Sequence, residues 1–423
     1  MKNKIGSYVI LAAIMFSAMM ILTTAVLWAS GEEAVSSTTD SFGRLWGRSV
    51  LAEYDRNLKD RYGLFAFCGD KISVEKKIDY YAKYSFKDKK YINTGASECM
   101  LDSYKLGEKE NFTEQLKEAV LADTKPKSLE RAQTTAEPTE AEAVPDGSRY
   151  IKNQRITASL PSGGKGGGVG VSALAEKLKN DTSIEAAADS LTENIYMFRF
   201  FKDYMNDRDL GSTYFENEIE DILTGKLDDE KARKKVRSNL KVIRNILNLA
   251  YLYSSSEKRN AAMLAAQFLM PEAPIIAQAL ILEGWAYMEA ENDIKLLYAG
   301  KEVPIIKKDE NWAVSLDGLM AAEYGMDASG AAADEDPRPS AASGKENANY
   351  LPPKKIEGKN YEGYLRILAA ALPQETALLR MMDIIQINMK YLYCEYFLID
   401  DCYVGLKYSI TVNGRTHEFE EKY

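Results

Sequence analysis

The chain has 423 residues, 63 acidic and 54 basic side chains, and one histidine. At roughly 100–200 residues per domain there is room for about two or three domains, and a hydrophobic fraction of 46% excludes a wholly disordered chain. The net charge of -9 argues against nucleic acid as a partner, because phosphate binding needs a basic surface. The lone His417 excludes every site built on two imidazoles.

Tyr8 to Ala29 carries no charge. At about 1.5 Å per residue it is long enough to cross a hydrocarbon core of about 30 Å. Lys2 and Lys4 precede it, and Glu32, Glu33 and Asp40 follow. The positive-inside rule then places the N-terminus in the cytoplasm and the bulk of the chain outside, in a single-pass arrangement that meets the bilayer through residues 8–29. The rival reading is a cleaved signal peptide, with Ala29 and Gly31 as small residues before the cut; its apolar region is usually shorter than this one. Both readings export the rest of the chain.

The helix is expected to continue as an amphipathic spine. Val35, Phe42, Leu45, Trp46, Val50, Tyr54, Leu58 and Tyr62 recur near every 3.6 residues, which predicts one helix from Tyr8 to Tyr62. Gly43 and Gly47, four apart on one face, either admit the close approach of another segment or mark a weak point. Tyr62 to Phe67 reads as a short aromatic strand between Gly63 and Gly69. The fold class is α+β and mainly helical: residues 1–30 an anchor, 31–121 the spine and a small mixed segment, 122–170 a low-complexity linker, 171–327 a helical region, 328–353 a second linker, and 354–423 helices plus a β-hairpin.

Within the helical region, Leu174 to Met205 has helical spacing with Ser183 as a capping candidate. Asp228 to Tyr253 is the clearest helix. Acids sit at its start, and Val236, Leu240, Ile243, Leu247 and Ala250 form a stripe. Ala261 to Met288 is a second apolar stretch. Pro271 and Pro274 interrupt it, and Glu272 and Glu283 are costly in lipid, so it reads as a buried helical pair broken at Pro271. Two helices, Tyr361–Leu372 and Gln374–Tyr391, precede a tail that alternates on either side of Asn413-Gly414, the strongest short hairpin signal.

The search for chemistry returns little. Cys68, Cys99, Cys394 and Cys402 permit three complete pairings, with Cys68–Cys99 and Cys394–Cys402 the nearest in sequence, and no C-x-x-C occurs. Gly163 to Gly168 around Lys165 lacks the Ser or Thr that a phosphate loop requires. Ser73 to Lys76 and Ser255 to Lys258 fit S-x-x-K without its companion motifs. Glu216, Glu218, Glu220 and Asp221 are the densest acidic cluster and read as a solvated face, with ion binding or acid–base chemistry as rivals. His417 reads as a surface residue of the hairpin. No catalytic residue, cofactor or metal site is expected.

Ser49-Val50-Leu51-Ala52-Glu53-Tyr54-Asp55-Arg56, continuing through Tyr62-Gly63-Leu64-Phe65, resembles a motif of an uncharacterised family of Gram-positive bacterial membrane proteins, classed as a domain of unknown function. Further matches are Gly6-Ser7, Tyr214 to Leu223 with Gly225-Lys226, Val303 to Lys307 and Leu379 to Gln386. Such proteins are similar in layout to the TadE/TadG-like pseudopilin components of tight-adherence (Tad/Flp) pilus systems. The resemblance implies a membrane-anchored, outward-facing structural or accessory component whose partners are pilus or secretion-system proteins. It carries over no catalytic residue. Leu11 stands where pilin leaders have a Glu five residues after the processing glycine, here Gly6, which departs from the prepilin-peptidase pattern. The competing class is a membrane-tethered binding or sensor domain for cell-wall or surface ligands.

Overall fold

The structure is a computed structural model that describes residues 2–126, 154–164, 167–180, 188–205, 210–323 and 350–423. Most of both expected linkers, Lys165 and the capping candidate Ser183 lie outside the described residues. The fold is α+β and mainly helical, with a long apolar N-terminal helix and a small antiparallel sheet at the C-terminus. Two units divide the chain: residues 1–59, 65–111 and 399–423 form unit 1, and residues 60–64 and 112–398 form unit 2.

Unit 1 is built on α1 (Lys2–Leu51). Its charge-free half is exposed along its length. The hydroxyls there bond back to their own helix, as Ser17 does to the Ile14 carbonyl at 2.9 Å and Thr24 to the Met20 carbonyl at 2.8 Å. Polar side chains in an apolar run are thereby satisfied without outside partners. The predicted helix to Tyr62 is interrupted. α1 stops at Leu51, and α2 (Arg56–Tyr62) begins afresh with the Asp55 carboxylate accepting from the Leu58 N–H at 2.8 Å. A capping aspartate restarts the ladder that an apolar pattern alone leaves continuous. Gly63, at φ +69°, ends α2 in the left-handed region. The strand predicted over Tyr62–Phe67 shrinks accordingly to β1 (Phe67–Cys68).

The second half of α1 lies against α3 (Lys71–Ser85) and the sheet. Phe86 meets Phe42 and Trp46 edge-on at 5.6 and 5.8 Å, and the Trp46 indole donates to the Ser85 hydroxyl at 2.9 Å. β2 (Thr94–Met100), β4 (Gly405–Val412) and β5 (Arg415–Lys422) form an antiparallel sheet in the order β2-β4-β5. Asn413 and Gly414 turn the hairpin at φ 48° and 81°, as the Asn-Gly signal requires. β3 (Cys402–Tyr403) pairs with β1 and sets Cys402 directly opposite Cys68, where the two form a disulfide across 334 residues of sequence. Neither pairing of sequence neighbours occurs. Cys99 is a buried thiol and Cys394 an exposed one.

Unit 2 is helical. It takes most of α4 (Lys109–Leu121) and continues with α5 (Val171–Asn180), α6 (Thr192–Phe200), α7 (Glu218–Thr224), α8 (Asp229–Ser254), α9 (Ser256–Leu269), α10 (Pro274–Tyr298), α11 (Leu316–Glu323), α12 (Tyr361–Ala370) and α13 (Gln374–Leu392). Asp228 caps α8, and the stripe Val236, Leu240, Ile243 and Leu247 is buried against α10 and its neighbours. The apolar stretch from Ala261 is a helical hairpin broken at Met270–Ala273, with Pro274 opening α10. Only one side of it is buried: Ala262, Ala266, Ile281 and Trp285 join a core with Trp312. Phe268 is 88% exposed and Ile275 74%. The expectation of a buried pair therefore holds for one face and fails for the other. α13 is buried on nearly every side.

Candidate functional site

The acidic cluster is not a solvated face. Glu216 alone is exposed, while Glu218, Glu220 and Asp221 are buried on the first turn of α7, which lies against α8 and α13. Burial of charge costs many kcal/mol unless donors replace water, and backbone N–H groups do so here. The Glu218 carboxylate accepts from the Lys202 N–H at 2.8 Å, Glu220 from the Tyr204 N–H at 3.0 Å, and Asp221 from the Asp228 N–H at 3.0 Å.

Glu218 and Glu220 also have side-chain partners. Arg61, itself buried, lies 3.7 Å from Glu218. Asn388 of α13 donates to Glu218 and, at 2.8 Å, to the Tyr62 hydroxyl, while its own oxygen accepts from the Tyr214 N–H at 2.9 Å. The Tyr361 hydroxyl donates to Glu220 at 2.7 Å. Burial raises the Glu218 carboxyl above its usual range, opposed by Arg61. Burial, reinforced by the charge of Asp203, pushes Glu220 up to about 8. Burial likewise pushes Asp221 up to about 8. At neutral pH these last two carboxyls hold a proton for a large part of the time.

Beside Asp221 is a cavity of about 40 Å³ lined by Ser162, Gly164, Gly225, Arg380 and Asp383 among others. That is room for a water or two, well short of the roughly 300 Å³ of a small-molecule pocket. Arg380 fills its wall, donating to the carbonyls of Ile222 and Leu223 at 2.9 and 3.1 Å and so satisfying the end of α7. Asp383 accepts from the Ser162 N–H at 2.9 Å. The arrangement holds helices together through buried polar groups, while the Arg61 nitrogens and one oxygen each of Glu220 and Asp221 make no hydrogen bond among the described residues. It resembles the inside of a scaffold more than a cleft.

A second buried network lies within unit 2. Arg244 of α8 bonds Asp293 of α10 at 3.0 Å, Asn248 at 2.8 Å, and the carbonyls of Pro304 and Ile305 at 2.9 and 2.8 Å. Lys307 bridges Asp293, at 2.6 Å, and Glu289. Glu289 also accepts from the Val314 N–H at 2.7 Å, and burial raises its carboxyl. No motif marks this set, but its pattern is present in the sequence. Arg244 falls four residues after Leu240 and three before Leu247, inside the apolar stripe, and Glu289 and Asp293 are four apart among Ala286, Ala290 and Ile294.

The residues singled out near the anchor are distributed between the units. Gly43 and Gly47 face the hairpin within unit 1. A Cβ on Gly43 would stand 2.1 Å from the Phe419 ring, and one on Gly47 3.0 Å from Glu421. The Tyr408 hydroxyl donates to the Gly43 carbonyl. The close approach at this glycine pair is thus made by β-hairpin side chains of the same chain. His417 is not a surface residue: its ring is buried and its Nδ1 lies 2.8 Å from the Asp40 carboxylate of α1. Glu53 is bound by Lys77 and by the Tyr81 hydroxyl at 2.9 Å. Tyr54 stacks edge-on against Phe65 at 5.2 Å, Asp55 caps α2, and Arg56 is exposed. Tyr62 and Gly63 belong to unit 2, where the Tyr62 carbonyl accepts from Tyr196 at 2.8 Å. Burial pushes the Cys99 thiol up to about 12, so it is inert as a nucleophile. Ser73 and Ser255 of the two S-x-x-K matches sit at helix starts, Ser255 accepting from the Lys258 N–H at 3.4 Å.

A family model, described as a family of unknown function (DUF5702), matches residues 122–414. The matched part includes Tyr214 to Leu223, Val303 to Lys307 and Leu379 to Gln386, and begins after α1 and the Glu53–Phe65 segment. No curated protein and no solved structure matches the chain.

Proposed function

The chain belongs to this family of unknown function, DUF5702, and we propose that it serves as a membrane-anchored, outward-facing structural or accessory component of a Tad/Flp-like pilus or secretion apparatus in a Gram-positive cell, acting through protein–protein contacts. The observation that carries the reading is the division of α1. Its first half, from Tyr8, is apolar, wholly exposed and long enough to cross a bilayer. Its second half is the spine of a helix-on-sheet unit closed by the C-terminal hairpin. Such a helix transmits membrane position to a folded head. The buried carboxyls of unit 2 fit a rigid scaffold, since each is tied to backbone donors of a neighbouring segment.

The test is photocrosslinking in cells from α1. Gly43 is unsuited because Phe419 covers it, whereas Leu45 is 55% exposed. Crosslinks from Leu45 to pilus-system proteins are expected. Recovery of cell-wall polymer alone would move the assignment to a membrane-tethered binding domain. Labelling from outside of the exposed Cys394 in intact cells tests the orientation.

A further inference from the structure

We propose that the loop after α3 forms a lipid-headgroup contact, in which Lys87, Lys89, Lys90 and Tyr91 lie against the anionic phosphate layer of the leaflet from which α1 emerges. The inference rests on the reading that α1 crosses a bilayer, and adds to it a second, independent point of attachment.

Position comes first. The apolar run ends at Ala29. Arg415, at the start of β5, lies 4.0 Å from Glu32 and 3.7 Å from Glu33. Asn413 in the same turn exchanges hydrogen bonds with Asn93, at 2.8 and 2.9 Å. Phe86, at the other end of the loop, stands beside Phe42. The loop between Phe86 and Asn93 therefore runs down α1 from the level of Phe42 to that of Glu32 and Glu33. These two are about 5–6 Å beyond Ala29 along the helix. A headgroup layer is about 5–7 Å deep on each side, so the lower end of the loop falls within reach of it.

Chemistry comes second. Between Phe86 and Asn93 three lysines stand against Asp88 alone, a local charge of about +2 in a chain of -9. Lys87 and Lys90 are exposed and Lys89 is half-buried; among the described residues none of the three has a carboxylate partner. Glu32 and Glu33 at the same level are the opposing charges, and Arg415 holds both. Tyr91 is 68% exposed. Tyrosine and lysine together are the side chains that suit a membrane–water boundary, the ring at headgroup depth and the ammonium at phosphate. Continuity with the apolar segment selects lipid over an acidic protein as the occupant.

The test uses the full chain in nanodiscs of phosphatidylcholine, with or without one third phosphatidylglycerol, read by amide hydrogen exchange. Amides of residues 87–92 are expected to exchange at least about fivefold more slowly in the anionic discs at low salt, from the usual worth of a lysine at a charged surface. The difference should shrink in half-molar salt, where screening is strong. A Lys87→Gln, Lys89→Gln, Lys90→Gln variant should lose it while exchange in β4 and β5 stays unchanged, which separates the effect from misfolding. A parallel measurement follows quenching of Trp28 by brominated acyl chains, assigned with Trp28→Phe. Equal exchange in the two discs with Trp28 quenched overturns the headgroup contact and leaves the anchor standing. Trp28 unquenched overturns the anchor and the contact with it.

Discussion

In unit 1 the charged groups sit at the rim of the packing. Asp40 meets His417, Arg48 meets Glu421 and Lys77 meets Glu53, each pair with at least one partner in water. In unit 2 the charges are inside: Arg61 with Glu218, and Arg244 and Lys307 with Asp293 and Glu289, all at most 1% exposed along their side chains. Unit 1 is secured by a sheet ladder, an aromatic cluster on α1 and a disulfide. Unit 2 is secured by helices whose interior polar groups must find each other. The difference decides what breaks each one. Rim pairs contribute little, about 0–1 kcal/mol, whereas loss of one partner of a buried pair leaves an uncompensated charge.

The largest effect is accordingly expected from Asp293→Ala. It leaves Arg244 without its carboxylate partner and Lys307 with Glu289 alone, one buried positive charge uncompensated. A loss of about 3–5 kcal/mol is expected, read as an early urea transition of Trp285 and Trp312 fluorescence. An unchanged midpoint would mean that the network is not the keystone of unit 2. The disulfide is the corresponding element of unit 1. Cys402→Ser should cost roughly 2–5 kcal/mol, the range for a native cross-link, and the transition to follow is that of Trp46, which is buried against Phe86. If reduction leaves Trp46 unaffected, the ladder and the aromatic cluster suffice without the bond.

Gly43→Ala comes next. The new methyl meets the ring of Phe419, which itself packs tilted against Tyr408 at 5.2 Å. Overpacking of this kind costs typically about 1–3 kcal/mol. The helix propensity of alanine works in the opposite direction by about 1 kcal/mol. A destabilised variant that Phe419→Leu restores assigns the glycine to close packing. A stabilised one assigns it to a weak point of the helix.

These cases also mark how far the chain can be read without its fold. The apolar half of α1, α8, α13 and the terminal hairpin are legible because each follows from a local pattern: a charge-free run, a capped amphipathic stripe, or Asn-Gly between alternating strands. The interruption at Asp55 was hidden because the apolar period runs through it, while the cap that restarts the ladder is one side chain. Cysteine pairing was illegible in principle, since β1 and β3 come together from opposite ends of the sequence. The acidic cluster misled for a different reason. Glu216 to Asp221 looks solvated by composition, and only the placement of α7 against α8 and α13 puts three of its carboxyls in the core. Arg244 and Asp293 were readable as charges within apolar stripes, a signal that turns on periodicity being applied to charged as well as apolar residues.

Buried carboxyls give unit 2 a pH dependence, and Glu220 is the clearest source. Its pKa rises from an ordinary 4.5 to about 8 in the folded chain, because burial and Asp203 disfavour the anion. Between those values the folded state holds a proton that the unfolded chain has released. Stability from this group is therefore complete below about pH 4.5 and declines as pH rises toward 8. The slope is about 1.4 kcal/mol per pH unit for one proton. Asp221, pushed up to about 8 as well, adds in the same direction. Unit 2 should therefore resist urea better at pH 5 than at pH 8, by its tryptophan signal. In Glu220→Gln the side chain is neutral at every pH and its oxygen still accepts from Tyr361, so the decline should become shallower by about one proton's worth. An unchanged slope would show that Glu220 is already ionised in the folded chain. The charge would then be held by Tyr361 and the Tyr204 N–H alone, and unit 2 would tolerate buried anions as readily through backbone donors as through arginine.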